Sequence, residues 1–168
     1  VDAEVGPSVP IVEDYGPAWD PGRFELGTDG PRSIVVGVDG SRTSLRAAAF
    51  ASGLARRQSS RLVIVYVASP SVWVAVSPAP LGEAAQGVID AVAAEVRGAI
   101  QDRYAELGIP IRFLVRLGDP LDGIRRTADA VQADMVAVGA SEGAGHRLVG
   151  SLAGRLVRSG RWPVVVVP

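Results

Sequence analysis

Residues 134–155 read DMVAVGASEGAGHRLVGSLAGR, and the interpretation of this stretch decides the fold. Met135 to Val138 is an apolar run too short for an ordinary helix and suited to a buried strand. Gly139, Gly143 and Gly145 follow, and Gly150-Ser151 leads into Leu152, Leu156 and Val157 at helical spacing. The order is strand, glycine-rich loop, helix. Glycine permits positive φ and close approach of backbone to ligand, so successive N–H groups can converge on an anion. A helix start adds free N–H donors and partial positive charge, and Ser151 adds a hydroxyl. Phosphate suits that chemistry, although tight connections in α/β domains also use glycine for steric reasons alone.

The pattern continues on either side. Ile34 to Val38 is the unbroken apolar run of a strand buried on both faces. The turn Asp39-Gly40-Ser41 follows, then a helix with Leu45, Ala48, Ala49, Ser52 and Ala55 in phase. Leu62–Val67 predicts a second strand, and Ala68–Gly82 a long irregular connection containing Pro70, Pro78 and Pro80. Val88, Val92, Val96, Ile100, Tyr104 and Leu107 share one face of a single predicted helix, Glu83–Leu107, which Gly108 ends. In Ile111–Leu117, Arg112 and Arg116 alternate with apolar residues, as in a strand with a wetter face or at a sheet edge. Asp119 reads as an N-cap and Pro120 as the first residue of a helix carrying Leu121, Ile124, Ala128 and Val131. Trp162–Val167 predicts the fifth strand. Five strands alternating with four helices imply an open parallel α/β sheet. Ligands of such sheets sit at the carboxyl ends of strands where the strand order reverses. Val38-Asp39-Gly40-Ser41 and the Gly139–Ser151 loop share that edge, and they are adjacent if the first and fourth strands are neighbours.

Composition removes several chemistries. There is no cysteine, His146 is the only histidine, and all 17 basic residues are arginine. Thiolate and two-histidine metal sites, Schiff-base lysines and the lysine of a Walker-type loop are therefore excluded. Residues 1–30 hold seven acids and one arginine, and the remainder holds 16 arginines and 11 acids, so a tail of net −6 precedes a domain of net +5. The arginines are scattered and only 5% of residues are aromatic, which argues against a nucleic-acid surface. No apolar run reaches membrane-spanning length and no signal peptide is evident, so no membrane role and a cytoplasmic location are expected. The tail, rich in Pro and Gly, reads as extended, with Tyr15, Trp19 and Phe24 as anchors if it docks.

Val35 to Ser41, Gly118-Asp119-Pro120, Val138-Gly139 through Gly150-Ser151, and Trp162-Pro163 with the four valines together resemble the universal stress protein family. The resemblance spans about residues 33–168, within a domain taken as 31–168 after the tail of 1–30, and its motifs occur in the family's order. It implies a Rossmann-like adenine-nucleotide-binding fold, with five parallel strands ordered 3-2-1-4-5 and helices on both faces. The implied function is a dimeric stress-response regulator or sensor, binding ATP or another adenine nucleotide, with at most negligible hydrolysis. The implied contacts are Val38, Asp39, Gly40 and Ser41 after the first strand, and Val67 by the adenine. Gly139, after Val138, and Gly150, Ser151 and Leu152 are implied for ribose and phosphates. Gly143 or Gly145 is a candidate substitute for the family's second glycine, and Arg147 is a candidate phosphate partner although a solvated loop arginine is the commoner case. Magnesium, where it enters, comes with the phosphates near Asp39. The implied dimer pairs Val164, Val165, Val166 and Val167 across a sheet edge, where an uncovered apolar strand needs a partner.

One departure stands out. The family's ATP pattern places twelve residues between the first glycine and Gly-Ser/Thr, whereas ten separate Gly139 from Gly150 here, with Glu142 at the second-glycine position. A family member that has lost nucleotide binding and acts as a dimeric interaction module is therefore the alternative. Asp39 is read as a site carboxylate over a simple turn former; Ser151 stays open between helix cap and phosphate contact.

Overall fold

The computed structural model describes residues 10–20, 30–69, 81–140 and 151–168, without the side chains of 81–86 and 151. In chain order the strands are β1 (Ile11–Tyr15), β2 (Ser33–Val38), β3 (Arg61–Ala68), β4 (Ile111–Leu117), β5 (Met135–Gly139) and β6 (Val164–Val167). The helices are α1 (Arg42–Gln58), α2 (Leu81–Gln101), α3 (Tyr104–Leu107), α4 (Pro120–Ala130) and α5 (Ser151–Ser159). The sheet runs β1-β4-β3-β2-β5-β6.

The five strands expected from the sequence appear as β4-β3-β2-β5-β6, mutually parallel and in the expected order. Alternation decides which layer each side chain joins. Ile34, Val36, Leu62 and Ile64 face α1 and α2, packing on Ala47, Ala51, Ala55, Ala93 and Val96. Val35, Val63, Val65 and Val136 face the other way, onto Leu121, Ile124 and Ala128 of α4 and Leu156 of α5. Small alanines along α1 let it lie close over the middle of the sheet.

Two expectations need correction. The sheet has six strands and is mixed, because β1 pairs antiparallel with β4, placing Asp14 opposite Arg112 and Tyr15 opposite Ile111. Part of the predicted tail is thus a docked edge strand; Trp19 also docks, with the Arg61 guanidinium 5.8 Å from its ring centre, while Phe24 lies outside the described residues. The second correction concerns the helix predicted over 83–107, which is broken at Asp102 and Arg103 into α2 and the short α3. Gly108 does end it, with φ +61.

Charge explains why β1 docks where it does. Arg97 of α2 grips Glu13 through Nε and Nη2 at 2.8–3.0 Å, and Arg112 binds both oxygens of Asp14 at 2.5 and 2.8 Å. Bidentate guanidinium–carboxylate pairs of this kind have geometry as well as charge in their favour. Of the two arginines behind the wetter face or edge predicted for 111–117, Arg112 meets Asp14 of the arm that pairs along β4, whereas Arg116 Nε donates to Thr127 Oγ1 of α4 at 2.9 Å. Among the described residues, no helix is long and apolar enough to cross a membrane.

The Arg97 hydrogen bonds hold the Glu13 carboxyl below its ordinary value of 4.5, and those of Arg112 hold Asp14 below 3.8, both against the opposing effect of partial burial. A depressed carboxylate stabilises the docked state above its unfolded value and ceases to do so as pH falls through the folded one. Hydrogen exchange, corrected for intrinsic rates, should show β1 amides fully protected above about pH 5 and progressively exposed at more acid pH, before β2 opens. Protection of β1 that survives until the core itself unfolds in acid would mean that these ion pairs do not hold the arm.

Candidate functional site

Parallel pairing of Ile34 with Met135 and Val36 with Ala137 brings the carboxyl ends of β2 and β5 side by side. This is where the strand order reverses, since the chain steps from β2 through β3 to β4 on one side and then crosses to β5 on the other. A cavity of about 310 Å³ opens there, within the range of roughly 300–1,000 Å³ typical of small-molecule sites. Val65, Val67, Val138 and Ile124 make its apolar wall, and Asp39, Ser41, Thr43 and Ser44 its polar one.

The polar wall is built by the start of α1. The Ser41 N–H donates to Asp39 Oδ1 at 2.9 Å, closing a turn in which Gly40 has φ +82. Ser41 is the N-cap of α1, its hydroxyl accepting from the Ser44 N–H at 3.2 Å. The buried Ser44 hydroxyl donates to Ser41 O at 2.9 Å and accepts from the Asp39 N–H at 3.3 Å. Asp39 itself sits exposed at the mouth. Partial burial works against its ionisation, but hydrogen bonds from Ser41 and Ser44 together outweigh this and hold its pKa below 3.8. At neutral pH it is an anionic acceptor, and burial together with that charge raises the Tyr66 phenol.

Glycines set the shape. A Cβ on Gly139 would lie 2.5 Å from Ser44 N and from Thr43 C, both backbone atoms, so only glycine lets β5 end against the first turn of α1. A Cβ on Gly37 would press within 2.7 Å of Ile124 Cδ1 and fill the cavity floor. The amino ends of α1, α4 and α5 all reach this edge, contributing Thr43 and Ser44, Pro120, and Leu152 with Ala153. Helix N-termini favour anions, and the first two are already capped by Ser41 and by Asp119, whose Oδ1 accepts from the Asp122 N–H at 2.9 Å. That N-cap role for Asp119, with Pro120 opening the helix, is as the sequence reads.

Of the predicted site residues, Val38, Asp39, Ser41, Val67, Val138, Gly139 and Leu152 all line this one cavity. Gly40 belongs to the turn but not to the wall; its open side faces Val92 of α2. Gly143, Gly145, Arg147 and Gly150 lie outside the described residues, as does the side chain of Ser151, whose backbone begins α5. Sequence reasoning missed Gly37, Thr43, Ser44, Val65, Pro120, Ile124, Ala140 and Ala153 as wall residues. A lone glycine inside the apolar run of β2 was a legible sign of close approach, and the Ser41-to-Ser44 spacing was a legible cap; Val65 and Ile124 carried no local signal. Asp39 is the only ionisable side chain on the described wall. Among the described residues, no group of three or more His, Cys, Asp or Glu is placed to hold a metal.

The model of the universal stress protein family matches residues 31–168, and the chain belongs to that family. It is similar to universal stress protein MJ0531 of Methanocaldococcus jannaschii, with 27% identity over 138 residues, 81% of each protein. Among solved structures it is similar to universal stress protein UspA from Lactobacillus plantarum, at TM-score 0.65 and 25% identity, over 81% of this chain and 97% of that one. It is also similar to a universal stress protein solved in complex with cAMP, at TM-score 0.59 and 29% identity, over 82% and 97% of the two chains.

Replacing Gly139 with alanine should destabilise the fold by roughly 1–3 kcal/mol or more, because backbone rather than a mobile side chain stands in the way. Urea titration measures this, and a Gly139→Ala protein as stable as the parent would mean that α1 and β5 do not meet as described.

Proposed function

We propose that the protein is an adenine-nucleotide-binding regulatory or sensing module of the stress response, holding ATP or a related nucleotide between the ends of β2 and β5. The observation that carries this reading is the convergence of an ionised Asp39, an apolar slot and the start of α5 on one cavity at the reversal of strand order. The relative bound to cAMP lends it support. An anionic carboxylate accepts hydrogen bonds from hydroxyl or amino groups and repels phosphate. Ribose therefore belongs near Asp39, the base against Val65 and Val67, and the phosphates toward Gly139 and the amino end of α5. Magnesium, where it enters with ATP, would rest on phosphate oxygens and water. The reading is of a binder with at most negligible ATP hydrolysis, supported by a described wall whose ionisable group is an anion, since phosphoryl transfer needs positioned positive charge.

A second reading, an interaction module without nucleotide, draws on the shortened loop and on Glu142 within it. Calorimetry with ATP and magnesium, and with cAMP, separates the two. Binding is expected, weakened about tenfold or more by Asp39→Ala through loss of a charged hydrogen bond, and tightened by Glu142→Gly. Hydrolysis should stay below about one turnover per second. No heat, with a melting temperature unmoved by millimolar ATP, would sink the nucleotide reading.

The proposal includes a homodimer through β6. This strand ends the sheet, its four valines are half-buried, and Arg46 Nη1 of α1 donates to Pro168 O at 3.3 Å just beyond it. Two such edges meeting antiparallel pair both sets of backbone groups in one symmetric contact. Light scattering at micromolar concentration should give twice the chain mass, and Val165→Pro should yield monomer. A parent protein that is monomeric, or a proline variant that stays dimeric, counts against it.

A further inference from the structure

The family match begins at residue 31, whereas β1 and Trp19 precede it, so the arm is an addition to the shared domain. At the opposite end of the sheet from the nucleotide cavity, the arm and the domain together enclose a second cavity of about 520 Å³. The arm supplies Asp14, Pro17 and Trp19, and the domain supplies Arg61, Pro110 and Arg112.

Arg61 is the unusual member. The residue is only 7% exposed, yet its guanidinium has no ion pair or hydrogen bond among the described residues, and its contact is the Trp19 ring. Arg112, by contrast, is matched by Asp14. Burial, and next the neighbouring Arg112 charge, pull the Arg61 pKa down, and the Asp14 carboxylate, already bound by Arg112, opposes this only in part. Among the described lining residues, two guanidiniums and one carboxylate leave a single positive charge facing the cavity. A buried cation with free donors is costly unless an anion meets it.

We propose that this cavity is a second ligand site, which takes a small organic monocarboxylate with an apolar body and clamps the arm onto the domain when filled. The planar guanidinium of Arg61 presents parallel donors that match a carboxylate. Pro17, Trp19 and Pro110 provide an apolar surface for the rest of the molecule. One negative charge balances the site, whereas a phosphate dianion overshoots and meets Asp14. Because the arm supplies half of the wall, the ligand binds the docked arm and not the released one, so occupancy shifts the arm toward docking. The site is separate from the nucleotide cavity, and its test does not depend on nucleotide.

The full chain, isotopically labelled, is titrated with sodium benzoate, with benzamide as neutral counterpart and with inorganic phosphate, following the Trp19 indole and Arg61 Nε–H signals by NMR. Benzoate should shift both saturably with a midpoint below about 10 mM. Benzamide and phosphate should act at least about tenfold more weakly. Arg61→Gln should abolish the benzoate response, and Trp19→Ala, a change confined to the arm, should weaken it several-fold even if the Arg61 variant does not fold. Hydrogen exchange of β1 amides should slow when benzoate is present. A response that never saturates, that benzamide or phosphate reproduces, or that survives both substitutions overturns the proposal, as does β1 exchange that benzoate leaves unchanged.

Discussion

The approach of the first turn of α1 to the end of β5 is the constraint on which the candidate site depends. Gly139 has no side chain to hold them apart, and Ser44 N and Thr43 C lie only 2.5 Å from where a Cβ would stand. Because β5 ends there, the Asp39 turn, the Ser41 cap and the Ser44 hydroxyl are all pressed into one wall, each hydrogen-bonded to another. The polar groups are satisfied before any ligand arrives, which is how a rigid, preorganised surface is obtained without leaving buried donors bare. Gly139 thus has a packing role that stands whether or not it also touches phosphate.

The parallel core was legible because its strands are buried on both faces. Runs such as Ile34–Val38 and Leu62–Val67 have no polar alternative, and the Asp119-Pro120 start of α4 carries its own local chemistry. The candidate site was legible at its turn and its glycine, both of which are marked in the chain by residue types that serve few other purposes. Its apolar half was not. Val65 and Ile124 look like any other core residues, and only the register that sets β3 against β2 and lays α4 over them makes them ligand-facing.

The arm shows the reverse situation. Residues 11–15, IVEDY, carry two adjacent acids and lie in a Pro- and Gly-rich acidic segment, which by composition reads as a solvated tail. In the fold the same acids become the docking device, since Glu13 meets Arg97 of α2 and Asp14 meets Arg112 of β4, partners 84 and 98 residues away. The alternation of Arg112 and Arg116 had marked a strand with one wet side; the identity of what covers it lay elsewhere in the chain.

The sequence by itself determined the layered α/β class, the order of strands and helices through the domain, the capped turns, and the absence of thiol, lysine and multi-histidine chemistry. Those properties are local or compositional: burial on two faces, a cap, a glycine turn and a missing side chain can each be read within a few residues. Tertiary structure decided the sixth strand, the break between α2 and α3, the apolar wall of the cavity and the placing of Arg61 over Trp19. Each of these depends on groups far apart in the chain meeting at ångström distances. A guanidinium's environment, whether paired, stacked or stranded, is a property of that meeting and of no residue alone.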